Sequence, residues 1–388
     1  MGNLRVIVFS ATFGAGHVRA AEAIIEAIRT KKPSAEITHV DSVAFLSKTL
    51  NKVIKGTYIE LIKHTPRLWG KFYYRTSKIP PDSVLQRFLN VLGRHEFFDY
   101  IEGLRPDVII CTYPTIAGVL AQLRLQGLLQ VPIVTVVTDY AVHSQWIHPG
   151  VDLYIVGNDD VFQGLVNRQI DPQRIKITGI PVSPRFEHPL NRQEILKQYN
   201  LCSDQPIFMI MGGAYGVLGG AKKVCRILAD SEVPVQSLIV CGRDEKLYKS
   251  LDGIVAEAKN PIYRFGYVRN VEELMTVSDV IITKAGGLTV SEALTKHLPL
   301  LIYKPIPGQE DENAHFVQRI GAGRVMNNEE ELEETLKHLL RYPEEISQMR
   351  IAASKALPGK AAEKTTDYIF ELINEDLSEN IRLLRMKS

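Results

Sequence analysis

Apolar runs and helix-like segments alternate along the chain, and the alternation begins twice in the same way. The run Leu4–Phe9 leads into a glycine loop, after which apolar residues recur at helical spacing from Ala20 to Ile28. Much later, the run Ile207–Met211 leads into the glycine-rich segment Gly212–Gly220 and another helix-like segment. Each beginning therefore predicts a strand, a loop and a helix in that order.

Further short runs are almost continuous in apolar residues, which is typical of strands in a parallel sheet that helices cover on both faces. These runs are Val108–Cys111, Ile133–Val137, Leu153–Val156, Leu238–Val240, Val280–Thr283 and Pro299–Tyr303. Together with the intervening helices they predict an α/β protein with two doubly wound, Rossmann-like domains that face each other across a cleft. We place the domains at residues 1–190 and 191–359, and one or two helices in residues 360–388.

The composition fits two soluble domains and excludes several other classes of protein. The chain has 388 residues, of which 45% are hydrophobic and 23% charged, so it is neither disordered nor fibrous in character. No segment approaches the ~18–20 consecutive apolar residues that cross a bilayer. The four cysteines lie far apart without metal-binding spacing, and the net charge of +2 gives no reason to expect a nucleic-acid partner. We expect a cytoplasmic protein.

The near-neutral net charge conceals one strongly basic segment. Residues 48–78 contain eight lysines and arginines against one acidic residue, a local charge of +7, and aromatic residues are interleaved with them. Such a segment favours contact with an anionic bilayer, because basic groups are attracted to it and aromatic rings prefer its interface. A solvated basic face with its aromatic rings in the core is the alternative. The candidate membrane residues are Lys63, Arg67, Trp69, Lys71, Phe72 and Tyr73.

Both glycine loops have the form of an anion-binding turn at the start of a helix. Neither is a P-loop, and the first, with Gly14 and Gly16, lacks the third glycine of a dinucleotide fingerprint. His17 follows it directly, where an imidazole can accept a proton or contact a phosphate. Asp139, after the strand ending near Thr138, is a second candidate general base. Either residue could instead cap a turn.

Polar residues are dense after the two strand candidates between residues 278 and 323. We expect a helix to begin near Thr289, with Glu292 in its first turn, where a carboxylate can accept both hydroxyls of a ribose. The turn after Tyr303 brings Gln309, Glu310 and Asn313, which form a plausible set for sugar hydroxyls. The alternative is a structural turn whose polar groups face water.

Three of these segments together resemble one protein family. They are GAGH (residues 14–17) with Ala20 and Ala21 behind it, KAGGLTVSEAL (284–294) and PGQEDENA (307–314). They are similar to the diacylglycerol glycosyltransferases, which comprise processive diacylglycerol β-glucosyltransferases and monogalactosyldiacylglycerol synthases. The UDP-GlcNAc transferase that builds lipid II is a more distant resemblance. The likeness extends over nearly the whole chain and implies a GT-B fold and inverting transfer from UDP-glucose or UDP-galactose to diacylglycerol.

The resemblance also implies roles for individual residues on the donor side. Glu292 would hold the ribose, Val268 would meet the uracil edge through its backbone, and Gln309 and Glu310 would contact the hexose. The donor-side residues so implied are Gly212, Gly213, Ala214, Val268, Gly287, Leu288, Thr289, Glu292, Gln309, Glu310 and Asn313. No DxD-type signature stands in a convincing context, so we expect a metal-independent site, without a cofactor, in which loop N–H groups stabilise the diphosphate.

On the acceptor side the resemblance implies His17 and Asp139, and it leaves open which of them is the base. Residues 138–148 are similar to the family's TD…H…W.H pattern, which adds His143 and Trp146 to Gly14, Gly16 and the basic segment. Ser144 and Gln145 stand where plant-type members often carry HPxW, so the preferred lipid and sugar stay open. The expected location is the inner face of the cell membrane, with residues 360–388 packed on the N-terminal domain.

Other functions are compatible with the same donor-site residues. They are transfer of GlcNAc to a lipid-linked precursor, epimerisation of a UDP-sugar, and a non-catalytic scaffold that responds to UDP-sugars at the membrane. An epimerase has no need of the basic segment. The sequence carries no signal for processivity or for an oligomeric state.

Overall fold

The computed structural model describes residues 3–12, 15–42, 65–77, 79, 83, 94–212 and 220–387. The chain divides into two compact units. Unit 1 consists of residues 1–184 and 358–388, and unit 2 consists of residues 185–357. The boundaries predicted from the sequence, after residues 190 and 359, lie a few residues further along the chain.

Within the residues that the structure describes, each unit contains one six-stranded parallel sheet. The strands of unit 1 are β1 (Arg5–Ser10), β2 (Glu36–Asp41), β3 (Val108–Cys111), β4 (Ile133–Val136), β5 (Leu153–Val156) and β6 (Ile175–Ile177). Those of unit 2 are β7 (Ile207–Met211), β8 (Gln236–Val240), β9 (Ile262–Phe265), β10 (Val280–Thr283), β11 (Leu300–Tyr303) and β12 (Gly323–Met326).

Helices of 6 to 27 residues connect and follow these strands. In chain order they are α1 (Ala15–Lys31), α2 (Pro66–Thr76), α3 (Arg94–Leu104), α4 (Pro114–Leu125), α5 (Asp159–Val166), α6 (Arg192–Gln198), α7 (Ala221–Ala229), α8 (Glu245–Ser250), α9 (Asp252–Glu257), α10 (Val271–Val277), α11 (Gly287–Thr295), α12 (Gln309–Arg319), α13 (Glu329–Arg341), α14 (Pro343–Ser354) and α15 (Ala361–Lys387). Short 3₁₀ turns in the described residues lie at Ser144–Trp146, Pro172–Arg174 and Pro184–Phe186.

The sheet of unit 1 is covered on both faces because its side chains alternate in direction along each strand. Ile7 and Phe9 of β1 join a core with residues of α3 and α4, whereas Val6 and Val8 join a second core with residues of α1 and α15. The strand order is β2-β1-β3-β4-β5-β6, so the chain reverses its direction of winding between β1 and β3. The carboxyl ends of β1 and β3 are therefore where a ligand is expected in this sheet.

Unit 2 repeats the arrangement with the strand order β12-β11-β10-β7-β8-β9. Here the winding reverses between β7 and β10, which pair in parallel register from Phe208 with Val280 to Met211 with Thr283. The segments that follow these two strands are the glycine loop from Gly212 and the start of α11. The fold thus brings the ends of β7 and β10 together at one edge of this sheet.

The last helix, α15, packs against the first helix of unit 1. Ile369 and Ile373 share a core cluster with Ile24 of α1, and Lys31 Nζ contacts Asp367 Oδ1 at 2.5 Å. Residues 361–387 form a single helix. Of the one or two helices that the sequence predicts here, the structure therefore contains one.

Candidate active site

His17 lies where the strand order of unit 1 reverses. It is the third residue of α1, the helix that follows β1, and its Nδ1 atom is 2.7 Å from the carbonyl oxygen of Thr112, which follows β3. The hydroxyl of Thr112 donates in return to the carbonyl oxygen of His17 at 2.8 Å. The two strand ends are thereby joined, and the imidazole is held across them.

The partner of Nδ1 determines which nitrogen of His17 carries the proton. A carbonyl oxygen can only accept, so Nδ1 is the protonated nitrogen and Nε2 keeps its lone pair. The Thr138 hydroxyl, 3.0 Å from Nδ1, is a second acceptor for the same proton. Burial lowers the pKa of His17 to about 4, against a smaller opposing effect of the hydrogen bond to Thr112. The ring is therefore neutral near pH 7 and able to accept a proton at Nε2.

Two aromatic rings stand beside this imidazole. Tyr113 approaches it edge-on with ring centroids 5.2 Å apart, and the buried Trp146 lies at 6.3 Å. They place the imidazole in an apolar setting, which is why burial dominates its pKa.

Asp139 is buried at the carboxyl end of β4, one residue after Thr138. It is the hydroxyl of Thr138 that lies at hydrogen-bonding distance from the His17 imidazole. Thr112 and Thr138 are site residues that sequence reasoning missed. The one available signal was their position, each within two residues of the end of a predicted strand.

His143 connects this region to α2. Its Nδ1 accepts from the backbone N–H of Gln145 at 3.2 Å, so Nε2 carries the proton and donates to Thr76 Oγ1 at 3.1 Å. Ser144 donates to the carbonyl oxygen of Thr76 at 2.7 Å, and the Tyr73 ring lies 4.7 Å from that of His143. Burial lowers the pKa of His143 to about 4. The end of α2 is thus fixed to the turn that carries Trp146.

The outer side of α2 is basic and apolar at once. The side chains of Leu68 and Phe72 are 57% and 54% exposed. The basic residues Arg67, Lys71 and Arg75 of the same helix are exposed as well. The alternative interpretation places the aromatic rings of this segment in the core. Trp69 and Tyr73 are only half-buried, so they fit that interpretation in part. Lys63 and Gly14 lie outside the described residues, whereas Gly16 is the second residue of α1.

In unit 2, α11 begins directly at the carboxyl end of β10. Its first residue is Gly287, capped by Gly286, so it starts two residues earlier than the sequence predicts. Glu292 consequently lies in the second turn of the helix and is partly exposed, which corrects its predicted place in the first turn. Leu288 is buried and Thr289 is partly exposed at the helix start.

Glu310 and Asn313 hold the neighbouring turn in shape. The Asn313 amide donates to the carbonyl oxygen of Ala285 at 2.9 Å and is fully buried, which ties α12 to the end of β10. The backbone N–H of Ile306 donates to Glu310 Oε2 at 3.0 Å, and burial raises the pKa of this carboxyl group. Gln309 is the first residue of α12. Glu310 and Asn313 thus fix the conformation of this turn, and both are also predicted donor-site residues.

The other predicted donor residues are distributed along the same sheet edge. Gly212 directly follows β7, and Val268 lies, partly exposed, between β9 and α10. Gly213 and Ala214 lie outside the described residues. In the parts of the chain that the structure describes, no group of three or more histidine, cysteine, aspartate or glutamate side chains is placed to hold a metal ion. No helix there is long and apolar enough to span a bilayer.

Comparison with known families assigns both units. Residues 17–182 match the monogalactosyldiacylglycerol (MGDG) synthase family, and residues 208–366 match the glycosyltransferase family 28 C-terminal domain. The first match begins at His17.

Curated relatives match almost the entire chain. A processive diacylglycerol beta-glucosyltransferase of Bacillus thuringiensis (strain Al Hakam) is 32% identical over 369 residues, which cover 95% of this chain and 94% of the relative. A protein of the same description from Bacillus cereus is 32% identical over 367 residues, or 95% and 93% of the two chains.

Solved structures with the same fold are more distant in sequence. MurG of Acinetobacter baumannii superimposes with a TM-score of 0.64 at 15% identity over 95% of this chain and 99% of MurG. MnaA of S. aureus, solved with UDP, gives 0.62 at 14% identity over 96% and 97%. The α/β fold and the family predicted from the sequence are both confirmed, and the chain belongs to the family of diacylglycerol glycosyltransferases, enzymes with the GT-B fold.

Proposed function

We propose that the protein transfers a hexosyl group from UDP-glucose or UDP-galactose to 1,2-diacylglycerol at a membrane surface. The product is a β-glycosyldiacylglycerol, formed with inversion at the anomeric carbon. The observation that carries the proposal is the neutral His17 imidazole, whose bond to Thr112 leaves Nε2 as a proton acceptor at the ligand-binding edge of unit 1. The names of the relatives supply the acceptor and the sugar class.

In this mechanism Nε2 of His17 removes the proton from the free hydroxyl of diacylglycerol. The oxygen attacks the anomeric carbon, the bond from that carbon to the UDP oxygen breaks, and UDP leaves with the bonding electron pair. The proton then passes from His17 to solvent. Thr112 and Thr138 keep the ring in the required tautomer throughout, because both accept from Nδ1.

Unit 2 binds the donor at the edge where β7 and β10 end. We assign Glu292 to the ribose, the backbone at Val268 to the uracil, and Gln309 and Glu310 to the hexose. We assign the diphosphate to the N–H groups at Gly212, at the N-terminus of α7 and at the start of α11, where the partial positive charge of a helix N-terminus stabilises the leaving group. This scheme draws on no metal ion or other cofactor.

Membrane contact is assigned to α2, with the protein peripheral on the cytoplasmic face of the cell membrane. The exposed Leu68 and Phe72 would enter the interface, while Arg67, Lys71 and Arg75 would meet anionic headgroups. Because Thr76 at the end of α2 is bonded to His143 and Ser144, the helix that touches lipid is attached to the turn that carries Trp146.

The purified protein should be incubated with UDP-glucose, UDP-galactose or UDP-GlcNAc and with anionic vesicles that contain or lack diacylglycerol. We expect UDP release and a new hexosyl lipid only where a UDP-hexose and diacylglycerol are both present. A GlcNAc lipid, an epimerised nucleotide sugar, or binding of UDP-hexose without any turnover would each overturn the proposal in favour of one of the alternative functions.

A further inference from the structure

The phenol of Tyr303 is buried, yet its hydroxyl has no hydrogen-bond partner among the residues that the structure describes. Tyr303 is the last residue of β11, and its ring belongs to the core of unit 2 beneath α7. A buried hydroxyl without a hydrogen-bond partner destabilises the fold, and phenylalanine would fill the same space without that cost. Packing in the described part of the unliganded unit therefore gives no reason for the hydroxyl.

The hydroxyl end of the ring lies against the N-terminus of α7. Gly220 caps that helix with φ of +96°, and a Cβ atom added to Gly220 would lie 2.8 Å from Cε1 and 3.4 Å from the hydroxyl oxygen of Tyr303. Both the backbone conformation and the closeness of the ring thus require glycine at this position. Since Gly220 has no side chain, its backbone can lie directly against the phenol at the start of the helix.

Positively charged groups lie near the Tyr303 ring and on the first turn of α7. The helix N-terminus carries N–H groups without intrahelical partners and a partial positive charge. The ammonium group of Lys304 lies 5.0 Å from the centroid of the Tyr303 ring, and Lys222 is exposed in the first turn of α7. A hydroxyl donor, a nearby cation and a helix N-terminus are the kinds of group that bind phosphate oxygens.

We propose that the Tyr303 hydroxyl donates a hydrogen bond to a diphosphate oxygen of the nucleotide at the N-terminus of α7, with Lys304 as the neighbouring cation. The assignment rests on the proposed use of a UDP-sugar and adds to the donor site a residue that the sequence analysis placed only in a strand. A hydrogen bond to a charged group is among the strong ones, so its removal should weaken UDP binding about 10-fold.

The test is Tyr303→Phe, which keeps the ring and removes the hydroxyl. By titration calorimetry with the full chain, we expect UDP to bind about 10-fold more weakly than to wild type and uridine to bind equally well to both. Unliganded Tyr303→Phe should unfold at the same temperature as wild type or higher, because a buried unsatisfied group has been removed. Lys304→Gln should weaken UDP binding without affecting uridine.

Ser237→Ala is the matched control. Ser237 lies in β8 of the same sheet, and its hydroxyl is also buried without a partner in the described parts of the chain. The control should bind UDP like wild type. The assignment is wrong if the affinity of Tyr303→Phe for UDP is within 2-fold of that of wild type. It is also wrong if inorganic phosphate displaces uridine from wild type as effectively as it displaces UDP. If wild type makes hexosyl lipid in either of those cases, the proposed function stands and only the role of Tyr303 is rejected. If wild type neither binds UDP nor makes the lipid, both fail.

Discussion

The Nδ1 atom of His17 lies 2.7 Å from the carbonyl oxygen of Thr112, and the Thr112 hydroxyl donates to the carbonyl oxygen of His17 at 2.8 Å. These two bonds join residues 95 positions apart and connect the start of α1 to the end of β3. They also fix the proton on one ring nitrogen, which leaves the other able to accept a proton. The sequence offers His17 and Asp139 as equal candidates, and this geometry favours His17.

Replacing His17 with glutamine should lower kcat for hexosyl transfer by about 10²–10⁴-fold, the usual contribution of a general base. UDP affinity should hardly change, because we assign donor binding to unit 2. Asp139→Asn is the comparison, measured by the same lipid assay at saturating donor. A larger loss of kcat in Asp139→Asn than in His17→Gln would reverse the assignment of the base.

Acidification should destabilise the fold before most carboxylates titrate. His17, His143 and the buried His148 all have pKa values lowered to about 4 by burial, below the value of about 6.5 expected in the unfolded chain. As the pH falls, the unfolded chain therefore binds protons before the folded chain does. The stability that comes from keeping these histidines neutral is complete above pH 7 and is lost as the pH falls from about 6.5 to 4.

We expect the free energy of unfolding in urea to fall by about 1 kcal/mol or more per buried histidine between pH 7 and pH 5. The variant His148→Gln should show a smaller fall between these pH values than wild type. The variant of an exposed histidine, His95→Gln, should show the same fall as wild type. An equal free energy of unfolding of wild type at pH 7 and pH 5 would contradict the claim that burial keeps these histidines neutral.

The exposed face of α2 should govern membrane binding. The triple variant Arg67→Gln, Lys71→Gln and Arg75→Gln should bind anionic vesicles about 100-fold more weakly, since each basic group near the surface contributes about 1 kcal/mol. Sedimentation with vesicles at low and high salt measures the effect.

The apolar part of the same face has a matched control. Leu68→Ser should weaken vesicle binding, whereas Leu125→Ser should not, although Leu68 is 57% and Leu125 59% exposed. Equal binding of both variants, or salt-independent binding of wild type to neutral vesicles, would mean that α2 is not the membrane contact.

Gly323 is a position where any side chain should disrupt a sheet. A Cβ atom there would lie 2.1 Å from the backbone oxygen of Leu300 and 2.8 Å from Cγ1 of Val317, so Gly323→Ala must push β12 away from β11. We expect a loss of about 1–3 kcal/mol in the free energy of unfolding. Gly253→Ala in α9, where nothing lies within 4 Å, should be neutral or slightly stabilising. Equal stability of the two variants would show that β12 can shift without cost.

The strands that the sequence predicts are the eight inner strands of the two sheets. Those it misses, β2, β6, β9 and β12, are the four edges. Inner strands are buried on both faces and consist of continuous apolar runs, as in Val108–Cys111. An edge strand such as Glu36–Asp41 is only partly buried, so its polar residues interrupt the run and remove the signal.

The candidate site shows a similar division. His17 and the segment from Gly287 are recognisable because glycine loops and family motifs mark them in the sequence. The partners that give them their chemistry are not, since Thr112 and Thr138 come close to His17 only through the parallel pairing of β1, β3 and β4. Tyr303 is predicted only as a strand residue, and its unsatisfied hydroxyl beside Gly220 is what suggests a ligand.

The proposed reaction transfers a hexosyl group to diacylglycerol with His17 as the general base. Its most direct test is mass-spectrometric quantification of hexosyl-diacylglycerol formed on anionic vesicles from UDP-glucose or UDP-galactose, by wild type and by His17→Gln in parallel. We expect a product whose mass exceeds that of diacylglycerol by one hexosyl residue in the wild-type reaction, and at least about 100-fold less of it in the variant. Absence of that lipid from the wild-type reaction with both donors, or equal amounts from the two proteins, would contradict the proposed reaction.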